Sequence, residues 1–360
     1  MIYLIPVTKP FLPPKEKYIN IIDKVWDNNW LTNNGPVLQN LEINLVEYLK
    51  TPNMVFVTNG TIALQLAIKA LELKGEVITT PFSFVATTNS IIWENCEPVY
   101  VDINPDTLCI NADLIEEAIT PNTTAILATH VYGIPCDVDK IESIAKKHCL
   151  RVVYDAAHAF GVEYKGKSLL SYGDISIISF HATKVFHSIE GGGIIVNNLE
   201  FLETIKLLRS FGFTKNNHYL PGINAKNSEF HAAMGLINLE YQDNNLKCRC
   251  KLNEIYDAYL SAYIKRPNIP NNTKYIFPYY PIILKDEALL KKIMMDLEDN
   301  GIESRRYFYP SLNKIKYTSN SKCPVAEDIS KRVLCLPFYI GLEEDTIIKI
   351  SKIILQNFKE

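Results

Sequence analysis

A chain of 360 residues with 47% hydrophobic composition has room for two domains, or for one large α/β domain with a smaller appendage. Its formal net charge of −3 leaves no broad basic footprint, which argues against nucleic acid and against an anionic membrane as partners. The eight cysteines contain no CxxC pair, so neither a zinc ribbon nor a disulfide framework is expected, and reduced thiols in a cytoplasmic enzyme fit best. The opening MIYLIPVTKP lacks a basic stretch before an apolar core, and no apolar run nears the ~20 residues of a membrane span.

In chain order, residues 1–40 read as a proline-marked arm, a helix around Lys15–Asp27 and a polar turn, NNWLTNNGPV. A helix over Leu38–Leu49 follows. MVFVTNGTIALQLAIKALELKG is a short strand, a turn and a helix, with Ala63, Leu64, Ala67, Ala70 and Leu71 at helical spacing. EVITTPFSFVATTNSIIWENC repeats that unit, and PVYVDI adds a strand. A helix is expected over Asp113–Ile119, a strand at TAILATHVYG, a helix at DVDKIESIAKKHC and a strand in RVVYDAAHAFG that ends on Asp155. DISIISFHATKVFHSIEGGGIIV, from Asp174 to Val196, holds two strands around a HATK turn and a glycine run that permits close backbone approach. This rhythm predicts a largely parallel sheet covered on both faces. Beyond Val196 come a helix (Asn198–Ser210), a polar loop (FGFTKNNHYLPGINAKN) and a helical stretch over Ser228–Tyr263. A strand in YIFPYYPIIL, a helix in EALLKKIMMDLEDNG, a strand in IESRRYFYP and a helix over Glu343–Phe358 complete the chain. The expected division is a large domain with an N-terminal arm (1–245) and a small C-terminal domain (246–360).

In a parallel α/β sheet, ligands gather beyond the carboxyl ends of the strands. Asn59, Gly60 and Thr61 join a strand to a helix there, either as a plain cap or as a phosphate site on the helix N-terminus. No GxGxxG follows a strand and no GxxxxGK[ST] occurs, which removes the main support for a nicotinamide oxidoreductase or a P-loop protein. Asp155 reads either as a helix cap or as a carboxylate facing a cationic ring nitrogen. His158 reads as a structural histidine or as a donor to a phenolate oxygen. The seven histidines contain neither HExxH nor HxxxH, so no metal is expected. Phe82 and Phe84 are either core or a stacking ring, and Ser179 and Asn224 are candidate phosphate donors. Lys184 sits just off a strand end among apolar neighbours, either as a solvated loop lysine or as an amine desolvated enough to form a Schiff base. Taken together, a Schiff-base lysine, a ring-nitrogen carboxylate, a stacking aromatic and a phosphate cradle are what pyridoxal 5′-phosphate (PLP) requires.

The motifs NGTIALQLAIKAL, TTPFSFVAT, VDINPDTL, AITPNTTAILATHVYG, YDAAHAFGVEYKGK, GDISIISFHATKVFHSIEGGG and GINAKNSEFHAAMGL resemble, in order, those of the PLP-dependent sugar aminotransferases of the DegT/StrS type. The resemblance implies a fold-type I, aspartate aminotransferase-like α/β architecture, with a mostly parallel central sheet and a smaller C-terminal α+β domain. It also implies a homodimer with shared active sites and transfer of an amino group to a nucleotide-linked keto sugar. By matching position, it makes Lys184 the Schiff-base lysine and proton shuttle, and Asp155 the partner of the pyridine nitrogen. Gly60, Thr61 and Ser179 match the phosphate site, and Asn224 matches the asparagine that reaches the neighbouring subunit's phosphate. Phe84 matches the stacking ring, although TPFSFVAT is one residue shorter than the commoner motif and leaves Phe82 as a rival. His158 stands where many members have glutamine. Relatives that dehydrate sugars carry histidine in place of Lys184, so the resemblance implies ping-pong transamination, with L-glutamate as donor. WLTNNGP (with Thr32) resembles members that aminate at C4 of the hexose, and HATKVFHSIEGG, with VTKPFLP and RRYFYPSL, resembles the members that make dTDP-4-amino-4,6-dideoxyglucose from dTDP-4-keto-6-deoxyglucose for O-antigen or other surface polysaccharide. UDP-linked, GDP-linked or 3-keto sugars, and a non-catalytic regulator, are the alternatives. Phe186 and His187 are expected to line the sugar pocket. Arg305, Arg306, Tyr307 and Tyr309 read either as contacts to sugar or diphosphate or as a solvated basic strand.

Overall fold

The computed structural model describes residues 4–318 and 321–358. Its centre is a seven-stranded sheet: β1 (Val55–Val57), β2 (Glu76–Thr79), β3 (Glu97–Tyr100), β4 (Thr123–Thr129), β5 (Arg151–Asp155), β6 (Ile175–Ser179) and β7 (Gly192–Val196). The spatial order is β1-β7-β6-β5-β4-β2-β3, and β7 runs against the other strands. Both faces are buried, as parallel strands require. Val77, Ala125, Leu127 and Val153 point to one face, beneath helices that include α3 (Gly60–Ala70), α4 (Val85–Trp93) and α6 (Leu202–Arg209). Their neighbours Ile78, Ile126, Ala128 and Val152 point to the other, where α5 (Val138–His148) packs. On that second face, α2 (Pro36–Leu49) buries Leu38, Leu41, Leu45 and Leu49 against Phe56, Ile178 and Ile195.

The C-terminal part has its own core, built on α8 (Gln242–Leu260), α9 (Glu287–Asp299), α11 (Glu344–Gln356) and the antiparallel pair β8 (Pro281–Ile283) and β9 (Val333–Cys335). Position 245/246 lies inside α8. The first half of that helix packs Leu246 with the α2-side cluster, and the second half puts Leu252, Tyr256 and Leu260 into the C-terminal core.

Three expectations change. The strand expected in IESRRYFYP does not form. Arg305 makes a single bridge with Cys335, after which Tyr132 donates its phenol to the Tyr307 carbonyl, a group a strand ladder would have used. Phe308 then buries itself against Phe82 and Tyr132, which carries the chain off the sheet. The segment 113–119 holds two short 3₁₀ turns, Ala112–Leu114 and Glu116–Ala118, in place of an α-helix. The stretch 228–263 divides at Tyr241 into α7 (Glu229–Glu240), on which α1 (Lys15–Asn28) packs through Trp26 and Phe230, and α8.

The α-helix α10 (Pro324–Arg332) has no counterpart in the sequence reading. Like α2, it opens with proline and lacks a side-chain cap from its own N-cap residue. In both cases a distant carboxylate takes the unpaired N–H groups of the first turn. Glu229 accepts from Val37 at 2.7 Å and Leu38 at 3.2 Å, and Asp102 accepts from Val325 at 2.8 Å and Ala326 at 2.9 Å.

Candidate active site

A cavity of about 620 Å³ opens where β4, β5 and β6 end and α3 begins, under a cover formed by Tyr279, Arg305, Tyr307 and Phe308. Gly60, Thr61, Phe84, Asp155, His158, Ser179, Lys184 and Arg305 all line it. Residues far apart in sequence thus face one space: β5 and β6 end on Asp155 and Ser179 at this edge of the sheet, α3 starts there at Gly60, and Arg305 reaches over it from the C-terminal part.

Asp155 is the last residue of β5, paired in register with Ile177. It is 5% exposed, and burial pushes its carboxyl above the usual range; Thr87, the Ala157 N–H and the charge of Lys184 oppose that push. Thr87 donates to Oδ2 at 2.7 Å and the Ala157 N–H to Oδ1 at 3.1 Å. Thr87 is itself 2.8 Å from the Ser83 hydroxyl, which is 3.1 Å from that of Thr129. The chain of hydroxyls fixes the carboxylate in place, and a carboxylate held in so dry a site is stabilised by a cation placed against it.

Lys184 follows a turn in which its N–H bonds the His181 carbonyl at 2.9 Å. Its amine reaches the Tyr279 phenol at 3.4 Å. Burial holds this amine below its usual range, while Tyr307 and Asp155 pull it back up. Desolvation therefore enlarges the neutral, nucleophilic fraction. His158 is buried, with a pKa held well below the usual histidine range by burial and by the Lys184 charge. Its Nδ1 accepts from the Tyr132 N–H at 3.1 Å, which places the proton of the neutral ring on Nε2 as a donor.

At the start of α3, Asn59 caps the helix by accepting from the Ile62 N–H at 2.9 Å. A Cβ on Gly60 would stand 3.0 Å from the Cβ of Ser179, so glycine is what lets the helix start approach that serine. A Cβ on Gly192 would fall 2.5 Å from the Asn59 carbonyl, so the glycine run lets β7 slide beneath the same turn. The result is an anion cradle of helix N-terminus and hydroxyl. Phe84, 54% exposed, presents its ring at the cleft, whereas Phe82 is fully buried between Tyr132 and Phe308.

Other expected contacts lie elsewhere. Phe186 is a core residue, stacked on Phe160 at 4.5 Å and packed edge-on against Phe180. His187 is buried and clamps the N-terminal arm, its Nε2 2.7 Å from the Phe11 carbonyl. Neither lines the cleft, because the chain after Lys184 dives into the core beneath α2 and α7. Tyr309 lies under the Arg306 guanidinium at 3.4 Å, and Arg306 is tied to Glu287 at 3.0 Å, so this pair braces the C-terminal part. Thr32 is exposed and bonds the Asn227 carbonyl at 3.5 Å, and Asn224 is exposed beside its bridge to Ser210. Both are outside this chain's own cleft. The sequence reading missed Ser83, Thr87, Thr129, Tyr279 and Phe308. Ser83 and Thr87 had a signal, two hydroxyls flanking the start of the helix Val85–Trp93, where Thr87 reaches Asp155 and Ser83 reaches Thr87; Tyr279 and Phe308 had none.

Each of these groups needs a counterpart that protein side chains do not supply: a cation for Asp155, an aldehyde for Lys184, a phosphate for the α3 cradle. PLP carries all three, and the donor set fits it. Fold and cleft are those of a fold-type I PLP-dependent enzyme. The model of the DegT/DnrJ/EryC1/StrS aminotransferase family matches residues 14–355. A dTDP-4-amino-4,6-dideoxy-D-glucose transaminase of Shigella dysenteriae is 44% identical over 350 residues, 95% of either chain. One from Escherichia coli is 39% identical over 98% of either chain. Among solved structures, DesI in the presence of its TDP-sugar product superposes with a TM-score of 0.93 at 29% identity, covering 99% of this chain and 93% of that one. The chain belongs to the DegT/DnrJ/EryC1/StrS aminotransferase family, and it is a PLP-dependent sugar aminotransferase.

Proposed function

We propose that the enzyme moves the amino group of L-glutamate onto dTDP-4-keto-6-deoxyglucose and releases dTDP-4-amino-4,6-dideoxyglucose. The observation that carries the chemistry is the desolvated Lys184 amine in one cleft with the buried Asp155 carboxylate. The choice of sugar rests on the relatives that bear that product's name.

When bound, PLP supplies an aldehyde that carries the amino group and a ring that withdraws electrons from a carbon losing its proton. Asp155, held by Thr87 and the Ala157 N–H, would keep the ring nitrogen protonated. Gly60, Thr61 and Ser179 would hold the phosphate, His158 would donate from Nε2 to the phenolic oxygen, and Phe84 would pack against the ring. Lys184 would anchor the cofactor and serve as the amine that accepts and returns the proton. Arg305, with its Nη1 2.6 Å from the Tyr307 hydroxyl, is the guanidinium for an anionic group of donor or nucleotide sugar. In a homodimer with shared sites, exposed Asn224 reaches the cofactor phosphate of the partner. We place the cofactor-binding unit in residues 1–245 and the smaller unit in 246–360. We assign the reaction to the cytoplasm and its product to a surface polysaccharide such as O-antigen.

The test is the absorption of the PLP-loaded protein before and after L-glutamate, then after the keto sugar. A cofactor band that L-glutamate bleaches and dTDP-4-keto-6-deoxyglucose restores supports both half-reactions and the acceptor. A band that returns only with a GDP-linked, UDP-linked or 3-keto sugar replaces the acceptor. A band untouched by L-glutamate removes the donor.

A further inference from the structure

Tyr279 comes from the C-terminal half of the chain, just ahead of β8, yet its hydroxyl is the hydrogen-bond partner of the Lys184 amine, at 3.4 Å. The ring is 8% exposed and held on three sides. It meets His158 edge-on at 4.8 Å, Tyr132 at 5.8 Å and Tyr307 edge-on at 5.8 Å. So confined, the phenol cannot follow the lysine; the lysine, on its flexible stem, must come to it. Tyr279 and Lys184 line both the main cleft and a small adjoining cavity of about 10 Å³, to which Phe160, Val185 and Pro278 also contribute.

We propose that Tyr279 is a positioning residue for the catalytic amine: it receives Lys184 when the amine is not bonded to the cofactor and holds it at the edge of the reacting space. The inference rests on the reading of Lys184 as the proton carrier. Between half-reactions the free amine has room to swing within the cleft, and any position away from the reacting carbon wastes turnover. A fixed hydroxyl suits both of its states. The phenol oxygen accepts from the ammonium, and the phenol proton is donated to the lone pair of the neutral amine. Burial raises the Tyr279 pKa, which keeps the phenol protonated and able to do both. The bond to the ammonium is charge-assisted and the stronger of the two, so Tyr279 offsets part of the desolvation of Lys184. The other ionisable groups on this cleft are Asp155, His158, His181, Glu190, Arg305 and Tyr307, and Tyr279→Phe leaves all of them in place.

The decisive variant is Tyr279→Phe, which keeps the ring contacts with His158, Tyr132 and Tyr307. Two readouts are needed. In the protein stripped of PLP, brief labelling with trinitrobenzenesulfonate across a pH series, followed by mass spectrometry of the peptide carrying Lys184, reports the titration of that amine. In the PLP-loaded enzyme, kcat and KM for L-glutamate report positioning. The expected result is a labelling midpoint moved to lower pH, with kcat reduced about tenfold and KM unchanged. Tyr280→Phe removes a neighbouring phenol that bonds Asp257 at 2.7 Å in the C-terminal core, and it should leave the Lys184 midpoint where it is. An unmoved midpoint in Tyr279→Phe, or an unmoved kcat, overturns the proposal. If wild-type protein itself shows no PLP-dependent reaction with L-glutamate, the functional reading fails instead, and the labelling result still decides whether Tyr279 governs the amine.

Discussion

The floor and the cover of the cleft are built on different principles. The floor is regular: Asp155 ends β5, Ser179 ends β6, Gly60 starts α3 and Lys184 closes the turn after β6, so ladder, helix and turn hydrogen bonds set these positions. The cover is irregular: Tyr279, Arg305, Tyr307 and Phe308 lie in segments with no strand or helix at these residues, held by ring packing and a few long-range bonds. Chemistry common to a family sits where the backbone is stiffest, and substrate choice has most freedom where side-chain packing alone defines the wall.

The sharpest test of the floor is Lys184→Ala, which should lower transamination roughly 10⁴-fold or more, the upper end for a positioned proton carrier. The PLP half-reaction with L-glutamate, followed by stopped-flow absorption, measures it. Asp155→Asn should cost on the order of 10²- to 10³-fold, as for removal of one preorganised electrostatic contact. It should not destabilise the apoprotein at neutral pH. Because burial raises the Asp155 pKa, the folded chain binds this proton more tightly than the unfolded one. That stabilisation is complete below the ordinary Asp range and is lost as pH rises through the raised value. Thermal melts of the apoprotein from acid to neutral pH should therefore fall less steeply for Asp155→Asn than for wild type; parallel curves would refute the claim that burial dominates at this carboxyl.

Turning to the cover, Phe308→Ala should destabilise the protein by about 3–5 kcal/mol in urea unfolding, since it empties a site packed by Phe82, Tyr132 and His158. At temperatures where the variant stays folded, KM for the sugar should rise more than PLP affinity falls. If both change equally, floor and cover are not separable. The smallest effect is expected at Asp102→Ala, which uncaps α10 at a cost of about 1–2 kcal/mol. It acts through β9, whose Cys335 backbone holds Arg305 with bonds of 3.1 and 2.8 Å, so a modest rise in sugar KM at unchanged PLP affinity is the measurement.

How far the sequence could be read follows from this contrast. Alternating strands and helices, and the residues at strand ends, repeat at short range, so the places of Asp155, Lys184, Ser179 and Gly60 are legible in the sequence. Phe82 and Phe84 could not be told apart, because two rings two residues apart differ only in which meets Phe308 and which meets the cleft. Phe186 and His187 were expected in the pocket from their nearness to Lys184. Nearness along a chain says little where the backbone turns from cleft to core within two residues.

By itself, then, the sequence determined the α/β class, the seven strands, the PLP constellation and the family. All of these rest on local periodicity and on contiguous motifs. Only the tertiary structure decided which aromatic faces the cleft, that α2 and α10 are capped by Glu229 and Asp102 from far along the chain, and that Tyr279 partners the Lys184 amine. The physical reason is range. Ladder hydrogen bonds and helix caps of the near kind are written within a few residues, whereas a carboxylate or a ring finds a partner some hundred to two hundred residues away only when burial of the core has brought both to one place.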